Sequence, residues 1–254
     1  MRIGLRGAPH SKSWAIGKRD GRECNRHANN PSLCAGCLRG SVAEAERCDE
    51  NAWWCEMKAA ELLEQEVAQQ LRVRGHQVFV ADKSQRLGYP APVGDEQCKV
   101  AMREMWSNGL DVSLSIHTNS ARADSRGIQC MWPTTRNTKW KQCIHLCEHL
   151  VIAFKRHYNY MVRARFYSSY EGNMAPCPHS YLEVDYGNSN PDAARDFLRH
   201  YKEYATAIVE GLEAWWVSEG NSLPNQKPTA PADNSTLISR LKSLITRIKK
   251  LKEK

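Results

Sequence analysis

No stretch of this 254-residue chain approaches the roughly 20 consecutive apolar residues that a membrane-spanning helix needs. Nor does the N-terminus carry the apolar core of a secretory signal, since Met1-Arg2-Ile3-Gly4-Leu5-Arg6-Gly7 runs straight into strand-like sequence. We therefore expect synthesis in the cytoplasm without a signal peptide. Internal repeats are absent, which argues against a solenoid or propeller. With 41% hydrophobic and 25% charged residues, the composition is that of a globular chain rather than a disordered or collagen-like one.

One sign of charge is in excess, at +8, and a basic balance of this size suggests phosphate polymers or anionic surfaces. Its distribution argues otherwise. Residues 237–254 hold seven basic side chains against the single acid Glu253, a local +6, and leave only +2 for the other 236 residues. In that segment Leu237, Leu241, Leu244, Ile248 and Leu251 recur at helical spacing, so a basic amphipathic helix is expected. It could pair two chains or dock on the body as a short coiled coil, or bind an anionic envelope surface. Nucleic acid is not expected as a partner. A Pro-, Asn- and Ser-rich linker over 218–236 separates it from a body spanning 1–217.

Within the body, strand-like runs at 3–6, 76–81, 111–116, 127–132 and 180–184 alternate with helical patterns at 52–74, 96–108, 138–157 and 191–216. The alternation predicts an α/β domain, whose sites gather at the carboxyl ends of strands. Three strand ends carry suitable chemistry: His10 after Gly7-Ala8-Pro9, His117 after Ile116, and Glu183 after Leu182. Glu56 opens the first long helix. Two imidazoles and a carboxylate are a donor set zinc uses for hydrolysis, with a further carboxylate left for proton transfer.

The run Leu114-Ser115-Ile116-His117-Thr118-Asn119 resembles the Ser-Ile-His-x-Asn motif of the zinc-dependent N-acetylmuramoyl-L-alanine amidases of the type-3 family, which includes bacterial autolysins and phage endolysins. The interval from Glu56 to Gly75 matches that family's ligand-bearing helix, and Tyr181-Leu182-Glu183-Val184 resembles its last strand. The resemblance spans roughly residues 2–216. It implies a three-layer α/β/α domain with a mostly parallel sheet, one Zn²⁺ held by His10, Glu56 and His117, and Glu183 as the catalytic acid and base. The implied reaction cleaves the peptidoglycan amide between N-acetylmuramic acid and L-alanine, on the bacterial cell wall after release. Pro9-His10-Ser11 replaces the family's Gly-His-Gly, and one extra residue lies between Glu183 and Asn190. Glu50 is an alternative to Glu56, which the distance to Gly75 favours.

An insertion over 18–52 stands where the family has a short loop. Its Cys24, Cys34, Cys37 and Cys48 could hold a second, structural metal ion, form disulfides after release, or remain thiols. Cys143, His145, Cys147 and His149 cannot converge on one ion, because the two pairs fall on different faces of a helix, and packing is their expected role. Trp53-Trp54 and Trp215-Trp216 read as core anchors, and Trp132 as a weak candidate for glycan contact. Two other readings stay open: a related zinc amidase or peptidase on another amide, and a non-catalytic, metal-stabilised module that binds the envelope.

Overall fold

The protein is described by a computed structural model, which covers residues 1–7, 56–81, 95–119, 125–185 and 191–224. His10, Glu50, the insertion over 18–52 and the helix expected over 237–254 lie outside the described residues, as do the side chains of 56–58. Six strands, β1 (Arg2–Gly7), β2 (Gln77–Val80), β3 (Val112–His117), β4 (Ile128–Trp132), β5 (Val162–Phe166) and β6 (His179–Val184), form one sheet in the order β2-β1-β3-β6-β4-β5. All neighbours run parallel except β4 and β6. The helices are α1 (Glu56–Val73), α2 (Asp95–Trp106), α3 (Trp140–His157), the short α4 (Tyr170–Met174) and α5 (Pro191–Ser218).

Strand alternation divides the molecule into three layers. Ile3 and Leu5 of β1, with Val112, Leu114 and Ile116 of β3, point to one face and are fully buried. There they meet Leu63, Val67 and Leu71 of α1, Leu146, Leu150 and Phe154 of α3, and Phe197, Ile208 and Leu212 of α5 in one core. The apolar positions of each helix recur three or four residues apart, so a single stripe faces the sheet. A second, smaller core holds Met102, Met105 and Trp106 of α2 with Leu110, Ala175 and Cys177 on the opposite face. Helices on both faces explain why β3 is buried at all six positions. The architecture is the α/β class expected from the sequence.

The elements agree with the sequence pattern except between α3 and β6, where β5 and α4 were not foreseen. Trp215 is buried in the first core and Trp216 packs against it. Trp132 also packs against that core, so it stands on the face covered by α1, α3 and α5, opposite to His117 and Glu183. That placement removes it as a glycan contact at the site.

Candidate active site

The second face of the sheet is polar where the first is apolar. Along β3 it receives Ser113, Ser115 and His117, and along β6 His179, Tyr181 and Glu183. The parallel register pairs His117 with Glu183, so the two side chains leave neighbouring strands on the same face at the carboxyl edge. On its other side Glu183 is paired in register with Gln129 of β4, which is buried. His117 is also buried and stacks on Tyr181 with ring centroids 4.1 Å apart and planes inclined by 17°. That contact fixes the imidazole plane. Tyr167 also packs against Tyr181, with ring centroids 5.1 Å apart, and is exposed at the rim. Burial raises the Tyr167 phenol above its ordinary value, and the carboxylates of Glu183 and Glu171 add to the effect.

Polar contacts lock both strand ends. Asn119, the last residue of the Ser-Ile-His-x-Asn run, donates its backbone N–H to the Asp185 carbonyl at 2.8 Å and so ties the end of β3 to the end of β6. Asp185 is a buried non-glycine residue with φ of 59°, a conformation that carries local strain. Its carboxylate accepts from Arg126 Nε at 3.0 and 3.1 Å and from the Gly127 backbone N–H at 3.2 Å. The turn after Glu183 is therefore held by charge-assisted bonds.

Beneath His117 lies a network that sequence reasoning did not find. Glu171 of α4 forms an ion pair with Arg6 of β1 and accepts a hydrogen bond from the Ser115 hydroxyl. Burial opposes ionisation of Glu171, but Arg6, His117, the Ser115 bond and His179 together hold its carboxyl down at about 2. His179 is bonded through Nδ1 to Ser113 Oγ at 2.8 Å, and its value is lowered to about 4 by burial, against the attraction of Glu171. The one available signal was Arg6, a charge directly after the run Ile3-Gly4-Leu5. Its partner could not be read, because Glu171 sits 165 positions away in a segment without periodicity.

Two of the four expected site residues are thus adjacent. Of the other two, His10 lies outside the described residues, and Glu56 is described only as the first residue of α1. β1 ends at Gly7, paired with Ile116 beside His117, and the chain carrying His10 continues from there. Glu56 is the first residue of α1, whose early turns lie against that strand end: a Cβ built on Gly7 would stand 3.0 Å from the Ala60 carbonyl carbon and oxygen. Gly7 also donates its N–H to the Glu64 carboxylate. Among the described residues no three His, Cys, Asp or Glu converge on one point. The chemistry of the donor set still fits zinc, with a buried, oriented imidazole at His117 beside Glu183 at the carboxyl edge.

Cys143 and Cys147 do not contribute. Both are fully buried free thiols; Cys147 Sγ contacts Ser180 Oγ at 3.3 Å and Cys143 Sγ accepts from the His179 N–H. Burial pushes both thiols up, Cys143 to about 11 despite its bond from the His179 backbone. They are packing residues.

No family model and no curated protein matches the chain. Solved structures do match it. The CwlD amidase from Clostridioides difficile, solved with the GerS lipoprotein, superimposes with a TM-score of 0.61 at 14% identity, covering 85% of this chain and 98% of that one. The N-acetylmuramyl-L-alanine amidase Ami1 from Mycobacterium smegmatis gives 0.59 at 18% identity, covering 86% and 97%. The catalytic domain of the CD27L endolysin, which targets Clostridia difficile, gives 0.50 at 16% identity, covering 84% and 96%. The chain has the fold of the N-acetylmuramoyl-L-alanine amidases.

Proposed function

We propose that the protein is a zinc-dependent peptidoglycan hydrolase that cleaves the amide between N-acetylmuramic acid and L-alanine, of the phage endolysin kind. The observation that carries this reading is the register pairing of His117 with Glu183 at the carboxyl edge of a sheet with the amidase fold. His10, Glu56 and His117 would hold the ion. When bound, zinc supplies a Lewis acid for the amide carbonyl and makes a water acidic enough to attack near neutral pH. Glu183 would serve as the general base for the attacking water and, as the general acid, return the proton to the departing amine of L-alanine. Tyr181 holds the His117 ring in plane, and Gln129 and His117 flank Glu183, so the carboxylate works from a fixed position.

Cys24, Cys34, Cys37 and Cys48 are proposed as a second, structural zinc site, and residues 237–254 as the segment for self-association or an anionic envelope surface.

The roles differ in what their loss removes. Glu183→Ala is expected to keep the fold and bound zinc while turnover on purified peptidoglycan falls by about 10²- to 10⁴-fold. His117→Ala should lose the active-site zinc equivalent and turnover together. Near-normal hydrolysis by Glu183→Ala would remove the assignment.

A further inference from the structure

His145 and His149 stand four residues apart on α3, on a different side of the helix from the buried Cys143 and Cys147. Their rings approach edge to face, with centroids 4.7 Å apart and Nε2 atoms separated by 3.2 Å. The Nδ1 of His145 lies 2.8 Å from Glu219 Oε1, and the other oxygen of that carboxylate is held by Gln142 Nε2 at 3.2 Å. With Nδ1–H donating to the carboxylate, His145 presents the lone pair of Nε2 towards His149. Two nitrogens bound at about 2.0–2.1 Å to one tetrahedral ion stand about 3.3 Å apart, close to the separation observed. A carboxylate on the far nitrogen of a ligating imidazole is the usual arrangement behind a metal-bound histidine.

We propose that His145 and His149 bind one borderline divalent cation of the zinc class through their Nε2 atoms, with water completing the coordination and Glu219 orienting His145. Imidazole pairs suit zinc, nickel and copper. The His145 side chain is 41% exposed, so ion and water can reach the site from solvent. It is separate from the candidate active site, because α3 packs on the apolar face of the sheet and His117 projects from the other. Glu219 follows the last residue of α5, so an ion held here would clamp α3 to the end of α5, where the chain leaves the domain. Among the described residues two protein ligands are supplied, and with these alone the ion should exchange readily.

The test is equilibrium dialysis of the metal-stripped full chain against Zn²⁺, with bound zinc counted per chain. Wild type and His117→Ala should each take up one more equivalent than the corresponding His149→Ala variants, which separates this site from any ion at His117. Glu219→Gln should weaken that equivalent about 10-fold without abolishing it. Circular dichroism of His149→Ala and of the polar replacement His149→Asn checks that the helix is intact. Equal zinc uptake by wild type and folded His149→Ala or His149→Asn would overturn the proposal.

Discussion

His117 and Glu183 are 66 residues apart in the chain and meet because β3 and β6 are parallel neighbours in a fixed register. A slip of one residue would turn one of them to the opposite face, so the pair depends on every contact that sets the register. Beside that pair, Glu171 joins Arg6 of β1 to Ser115 of β3. Glu171→Gln leaves the Arg6 guanidinium, 5% exposed, without its charged partner, and a loss of about 3–5 kcal/mol in stability is expected. Urea denaturation would measure it, and a change under about 1 kcal/mol would mean that the pair contributes little. The adjacency of His117 and Glu183 was legible in the sequence only through the resemblance of the short runs that end β3 and β6. The residues that orient them were not, because Tyr181, Arg6 and Glu171 owe their roles to partners from other segments.

At the scale of elements, the strands and long helices followed from apolar periodicity, with boundaries displaced by a few residues. β5 escaped because Val162-Arg163-Ala164-Arg165-Phe166 is an edge strand with charged and exposed positions, the usual guard of a sheet edge against further pairing. The sequence also gave no sign that β4 runs antiparallel to β6. Close packing of elements can be tested at two glycines. A methyl group on Gly7 would meet the α1 backbone at 3.0 Å, and one on Gly211 of α5 would lie 2.9 Å from Leu150 Cα on α3. Neither obstacle is the free end of a flexible side chain, so Gly7→Ala and Gly211→Ala should each cost about 1–3 kcal/mol, measured by thermal or urea unfolding. Only Gly7→Ala should also lower turnover on peptidoglycan, since it moves the start of α1 where Glu56 lies; equal turnover in both variants would contradict the placement of that helix.

For the whole molecule, acid stability has a definable contributor away from the site. Burial opposes ionisation of Glu213, but hydrogen bonds from His76 and Arg74 outweigh it and hold the carboxyl below its ordinary value. A carboxyl depressed in the folded chain stabilises fully above its unfolded value of about 4.3, and that contribution is lost as pH falls through the folded value. Glu213→Gln should therefore melt lower than wild type at neutral pH and show a shallower decline below about pH 4.5, in melting curves taken from pH 7 to pH 3. Parallel curves for the two proteins would remove Glu213 as a source. Charge is also divided at this scale: 237–254 carries +6 of the net +8, so the proposed roles of the body and of that segment can be tested apart. Deleting 237–254 should leave hydrolysis of soluble muropeptides unchanged while altering either sedimentation of the full chain or its binding to anionic vesicles.

The central claim is the bond that is cut. Purified peptidoglycan digested by the zinc-loaded protein, with the products separated and sequenced, should yield intact stem peptides bearing a free N-terminal L-alanine, and Glu183→Ala should yield none. Release of sugar reducing ends, of fragments cut within the stem peptide, or of no product at any zinc concentration would contradict it.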